Sequence, residues 1–172
     1  MLEIKVTDGV GPALDKMPKT ARLEVGRMMR ACEGIVIRHW RRALSGPRSA
    51  TRLGVRTGRL RDSIRRRRTT KHDIWIGTDV PYAAIHEFGG RTGPHVIVPR
   101  NASVLRFFGR DGTVVFARRV NHPGSVIPPR PHREVAMRES IPDLDKKLKD
   151  TAEAILRDVT RAQSKEFRKF LG

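Results

Sequence analysis

Six histidines, one cysteine and a dense run of arginines are the side chains of this chain best suited to chemistry. The strongest metal candidate is His86-Glu87, with His95, His122 and His132 further along. No HExxH and no paired CxxC accompanies these residues, so the spacing matches no zinc pattern, and no metal or other cofactor is expected. Cys32 falls in a helical apolar stripe, and no serine sits in a GxSxG elbow. Gly89-Gly90 lacks the Lys-Ser or Lys-Thr that would complete a phosphate-cradling loop. The expectation is therefore a protein without enzymatic activity, in which His86 and Glu87 hydrogen-bond the turn that ends at Gly89.

The arginines carry a stronger signal. The 172 residues include 36 Lys and Arg against 18 acids, a net charge of +18, and 27 of the bases are Arg. Between Arg38 and Arg68 there are twelve Arg and one acid, Asp62, whereas residues 1–37 and 134–172 each come out near +1. Arg48, Arg52, Arg56, Arg65, Arg66, Arg67 and Arg68 are the candidate contacts. A guanidinium forks onto phosphate as readily as onto carboxylate, so nucleic acid and an acidic protein surface both remain open as partners. No element that reads base sequence accompanies the cluster.

The elements that must position these residues follow from periodicity. Leu2 to Val6 alternate as a strand, and apolar steps of three and four predict one helix from about Leu14 to Leu44, ended by Gly46-Pro47. Gly26 and Gly34 inside it point to close packing or a local bend. Residues 45–56 read as a basic flexible loop, and Thr57 as an N-cap with Leu60 and Ile64 on one face of a short helix. A hairpin follows, with a strand through Arg67 to Thr70, a turn at Lys71-His72-Asp73 and a strand from Ile74 to Gly77. Pro81 opens a helical turn expected to pack Tyr82, Ile85 and Phe88 on the sheet. Strands are expected at His95–Pro99, Val104–Phe108 and Thr113–Val120, the last two joined through Gly109-Arg110-Asp111-Gly112, before an extended crossing at 121–131. Residues 132–139 read as a short helix, and Ser140 with Pro142 as the start of an amphipathic helix over 141–170. The fold class is α+β in one domain, 1–172, with a small, mostly antiparallel sheet packed against long N- and C-terminal helices.

Only 5% of residues are aromatic and 31% are charged, leaving a thin core and much surface for solvent or partners. A single cysteine excludes a disulfide framework, the start MLEIKVTDGV lacks the apolar run of a secretory signal, and no segment reaches the 18 apolar residues of a membrane span.

Three strings stand in a characteristic order: Thr57-Gly58-Arg59-Leu60-Arg61-Asp62-Ser63-Ile64, then Tyr82-Ala83-Ala84-Ile85-His86-Glu87-Phe88-Gly89, then Pro128-Pro129-Arg130-Pro131 leading into Ala136. They resemble the tail-completion (head-tail joining, virion morphogenesis, minor tail component) family of tailed bacteriophages. The resemblance covers roughly the central half of the chain and marks Thr57, Gly58, Leu60, Tyr82, His86, Glu87, Phe88, Gly89, Pro129, Arg130 and Pro131 as structural motif residues. It implies a structural virion protein, made in the host cytoplasm and working without enzymatic activity as a ring at the neck, hexameric by analogy. The implied partners are other copies of the chain and neighbouring neck, tail-terminator or tail-tube proteins. The arginines would then line a lumen that passes packaged DNA or dock an acidic neighbour. The other reading is a free basic nucleic-acid-binding protein that works through Arg38 to Arg68.

Overall fold

The computed structural model describes residues 2–8, 13, 15–47, 49, 53–70 and 73–171, the last three by backbone alone. Strand β1 (Leu2–Thr7) leads to helix α1 (Lys19–Ala43), then α2 (Arg59–Asp62), β2 (Arg65–Thr69) and β3 (Asp73–Thr78). Next come α3 (Ala83–Phe88) and the short strands β4 (Gly90–Arg91), β5 (His95–Ile97), β6 (Leu105–Phe108), β7 (Val114–Ala117), β8 (Val120–His122) and β9 (Val126–Ile127). Helix α4 (His132–Leu171) closes the chain.

β1, β3 and β2 form an antiparallel sheet in that order, with Leu2 opposite Thr78 and Arg65 opposite Gly77. Alternation puts Leu2, Ile4, Ile74 and Ile76 on one buried face, and α1 lies across it. Val25, Met28, Met29, Cys32, Val36 and Trp40 recur at steps of three and four and form the facing stripe. The first half of α4 adds Ala136, Met137 and Leu144 to this core.

α1 begins at Lys19, after Pro18, rather than near Leu14, which lies outside the described residues. Its end, with Leu44 as C-cap, agrees with the periodicity. Gly34 does not mark close packing: it is exposed, and a Cβ there would meet nothing within 4 Å.

Helix α4 is continuous through Pro142, so the expected break at 140–142 does not occur. The proline withholds the N–H that would bond the Arg138 carbonyl, but Ala136 and Met137 before it and Leu144 after it all pack on the core, which holds the axis together. Ser140 is buried, and its hydroxyl donates to the Met137 carbonyl at 2.8 Å instead of capping a new helix. With 40 residues against 25, α4 outruns α1 by about 22 Å at ~1.5 Å per residue.

Residues 90–127 pair as one long hairpin. Gly90 faces Ile127 and Arg91 faces Val126, the Thr92 N–H donates to the Ser125 carbonyl at 2.9 Å, and His95 faces His122 in the same register. Beyond a register change, Leu105 faces Ala117 and Phe108 faces Val114 around the Gly109–Gly112 turn. The expected strand Thr113–Val120 is therefore two strands, and the expected crossing at 121–131 carries β8 and β9. A local pattern could not show this, because each pairing partner lies far along the chain. No residue from 88 to 129 is buried, so this hairpin is an arm beside the core.

Replacing exposed Gly34 with Ala should raise stability by about 0.5–1 kcal/mol, because helix-interior glycine carries an entropic cost and the site has room. Chemical denaturation reads this directly, and a lower midpoint for Gly34→Ala would contradict it.

Candidate functional site

Two sets of residues were singled out from the sequence, and the structure treats them differently. The motif residues converge on the start of α4. On α3 the buried positions are Ala83 and Glu87, one turn apart, while Tyr82 is 37% and Phe88 64% exposed. The expected packing of Tyr82, Ile85 and Phe88 on the sheet is thus replaced by a helix turned to point a carboxylate inward.

Glu87 does not bind the turn at Gly89. Its Oε2 accepts the Arg133 N–H at 2.8 Å and its Oε1 the Glu134 N–H at 3.1 Å, so a side chain from 46 residues upstream caps α4. Two otherwise unpaired amides and the positive end of the helix dipole both favour a carboxylate there. The Arg130 N–H donates to the His86 carbonyl at 2.7 Å, and the buried Arg130 guanidinium reaches the Ser49 carbonyl at 3.4 Å, fixing the Pro129–Pro131 segment beside α3. Gly89, at φ 72°, is required by its surroundings: a Cβ would come 3.0 Å from the Ile127 carbonyl and the Pro129 nitrogen.

His132 completes the node. Trp40, fully buried on α1, donates its Nε1–H to His132 Nδ1 at 2.9 Å. Burial, opposed by the Ala83 backbone, lowers the His132 pKa to about 4, so the imidazole is neutral at pH 7 and Nδ1 is free to accept. The 3.4 Å approach of that nitrogen to Glu87 is accordingly not an ion pair. Further along, His39 on α1 donates from Nε2 to Asp143 on α4 at 2.9 Å, and this bond chiefly holds the Asp143 carboxyl below its ordinary range.

The arginines form the second set. Arg48 and Arg52 lie outside the described residues; Arg56 is exposed. All four arginines 65–68 belong to edge strand β2, which starts two residues earlier than expected, and a bulge between Arg66 and Arg68 resets the alternation, so that Arg65 and Arg68 lie opposite Gly77 and Trp75 while Arg66 lies opposite Ile76. Arg65 and Arg67 converge on Asp79 at 3.3 and 3.2 Å, and Arg66 meets Glu33 of α1 at 3.2 Å. The Arg68 guanidinium sits 4.6 Å from the Trp75 ring, whose centre is also 5.4 Å from Lys5 Nζ. Asp79, hydrogen-bonded first by its own backbone and then flanked by Arg67 and Arg65, titrates below the usual carboxylate range.

Thr57 is not the N-cap of α2. That position belongs to Gly58 at φ 75°, with Thr57 Oγ1 accepting the Arg59 N–H at 3.4 Å. Leu60 is buried beneath it. Between this segment and α3 lies a groove of about 990 Å³, with Arg56, Arg59, Arg61 and Arg130 around it and Leu53 and Leu60 on its apolar side.

Cys32 is buried, and desolvation pushes its thiol up, the reverse of an activated nucleophile. Among the described residues no three His, Cys, Asp or Glu side chains are grouped to hold a metal ion, and no helix is long and apolar enough to cross a membrane. Sequence reasoning missed the exposed apolar residues of the arm. The adjacent pair Phe107-Phe108 was the available signal, since neighbours on a strand point to opposite faces and one of two phenylalanines must then face outward.

The class these features define is an α+β protein with a tightly tied scaffold and large basic and apolar surfaces left open. Residues 38–138 match the model of the phage virion morphogenesis family, and the chain belongs to that family. The match takes in all three motif strings, the arginine cluster and the arm. No curated protein and no solved structure matches the chain.

Removing the cap with Glu87→Ala should cost about 2–4 kcal/mol, whereas Glu87→Gln, which keeps one acceptor oxygen, should cost less. Equal losses, or none, would contradict the capping role. For His132 the folded pKa is depressed, so its contribution is fully present above pH 6.5 and is lost as pH falls to about 4, the window in which the unfolded chain takes up the proton and the folded chain does not. The shift corresponds to roughly 3 kcal/mol. His132→Gln, which can still accept from Trp40, should show a shallower loss of stability between pH 7 and 4.5 than wild type. Identical losses in the two proteins would overturn this assignment.

Proposed function

We propose that this chain is a structural virion protein that acts in tail completion and head-tail joining, as an oligomeric ring at the neck of a tailed phage or phage-like particle. It does so without enzymatic activity. A hexamer is the stoichiometry the family resemblance implies. Family membership supports the morphogenetic role, and one structural observation carries the step to assembly. The 90–127 arm is held by three short two-stranded ladders, yet none of its residues is buried and it presents Phe108 at 70%, Phe116 at 62% and Val126 at 69% exposure. Exposed apolar surface on this scale belongs against another protein. The partners in this reading are other copies of the chain and adjoining neck, tail-terminator or tail-tube proteins.

Nucleic-acid binding through Arg38 to Arg68 ranks second. Phosphate would have to displace Asp79 from Arg65 and Arg67 and Glu33 from Arg66, and would compete with Trp75 for Arg68. These exposed pairs are each worth only about 0–1 kcal/mol, so a polyanion could still recruit the cluster as a lining of the ring lumen.

Light scattering on the purified full-length protein, together with electron microscopy of particles assembled without it, tests the first reading. A multiple of the protomer mass, and tails that fail to join heads in its absence, are the expected results. A protein monomeric at high concentration, and joined, infectious particles without it, would sink the proposal.

A further inference from the structure

A buried charge without a counterion lies in the groove between residues 53–61 and α3. Arg130 lines this groove while only 7% exposed, and its one side-chain bond among the described residues runs from Nε–H to the Ser49 carbonyl at 3.4 Å. All 18 acids of the chain fall among the described residues, and none forms a salt bridge with Arg130, Arg56 or Arg59. A guanidinium out of water is costly unless acceptors replace its hydration, and a single long bond leaves most of its donors unmet by protein. Nor can its backbone turn away. The Arg130 N–H is held by the His86 carbonyl at 2.7 Å, and Pro129 and Pro131 stand on either side, so the side chain is presented from a fixed frame.

The surroundings define what fits there. Arg56 and Arg59 are exposed, Arg61 is held by Asp62 at 2.8 Å, and no described acid lines the groove. Leu44, Leu53 and Leu60 supply the apolar lining. A volume of about 990 Å³ is at the upper end of the range for ligand pockets, about 300–1,000 Å³, which leaves room for a peptide segment rather than a single ion. A carboxylate on its own side-chain stem can reach a recessed guanidinium while neighbouring aliphatic side chains cover the leucines. Nucleic acid fits less well, because bases bind by stacking on aromatic platforms and the lining offers Tyr82 and His86 alone. Duplex phosphates lie on a convex surface and do not enter a recess. With a net charge of +18, a second copy of this chain is also a poor source of acid.

We propose that this groove binds an acidic segment with aliphatic side chains from a different, neighbouring protein of the particle. One carboxylate of that segment seats on Arg130, and flanking acids meet Arg56 and Arg59. The site rests on the reading of this chain as an assembly protein with protein neighbours, and it depends neither on the ring nor on the arm.

Fluorescence anisotropy on the full-length protein tests it with a short labelled peptide alternating glutamate and leucine. Glutamine–leucine and glutamate–glycine versions, a single-stranded oligothymidylate and inorganic phosphate are the comparisons. The glutamate–leucine peptide should bind, and each of the other two peptides should bind at least about tenfold more weakly. Arg130→Met should lower the affinity at least about tenfold, with an unchanged circular dichroism spectrum and a denaturation midpoint no lower than wild type, because the cation removed has no counterion. Should that variant fail to fold, Arg56→Gln with Arg59→Gln, both exposed, should weaken the peptide by a similar factor, whereas Arg106→Gln on the arm should not. Affinity untouched by the groove variants, or equal binding of the glutamine–leucine peptide, would overturn the site. So would displacement of the peptide by lower concentrations of oligothymidylate, which would give the groove to nucleic acid, or of phosphate, which would make it a small-anion site. A wild type that binds the peptide yet stays monomeric by light scattering would bring down the ring reading alone. One that forms the ring and ignores the peptide would bring down this site alone.

Discussion

The structure depends on a carboxylate held where it can satisfy the start of a helix. Glu87 is 3% exposed, and a buried carboxylate is costly unless hydrogen bonds compensate it; here two amides of α4 do so. The same contact anchors a 40-residue helix at its first turn, and through His132 and Trp40 it connects that turn to the middle of the core. Three segments distant in sequence, α1, α3 and the entry to α4, are fixed against one another at this point. The motif strings make sense in this light. The Tyr82–Gly89 string supplies the cap and the turn beside it, the Pro128–Pro131 string brings α4 to the cap, and the Thr57–Ile64 string closes the core with Leu60 and Ile64.

With the scaffold tied internally, the surfaces that remain open are the ones free to meet partners. The arm and the outer half of α4 expose apolar side chains at positions where the core has no use for them. The Arg65–Arg68 cluster is less open than its charge density implies, because its members have already met Asp79, Glu33 and Trp75. High net charge of one sign in a chain that assembles with itself also sets a constraint. Like-charged copies repel, so contacts between them must pair the few acids with bases.

Much of the scaffold was legible in the sequence because it rests on local periodicity. The apolar steps of α1, the alternation of Leu2 to Val6 and the Gly109–Gly112 turn each encode their own element. What was not legible rests on partners far away along the chain. Pro142 carries a local signal to start a helix, and packing on both of its sides overrides it. Tyr82, Ile85 and Phe88 make the more apolar face of α3, yet the face that turns inward is the one bearing Glu87, because the α4 amides need it. The arm's register joins Gly90 to Ile127, which no periodicity records. The arginine cluster was visible as composition, but which of its members share a face depends on a single bulge in β2.

Hydrogen exchange, followed by mass spectrometry at low and high protein concentration, tests this division of labour most directly. The account predicts that amides at the start of α4, at Arg133 and Glu134, are as protected as those of β3 at both concentrations. Segment 105–117 should gain protection only when the protein is concentrated. Rapid exchange at the start of α4, or protection gained at 56–68 with the arm unchanged, would contradict it.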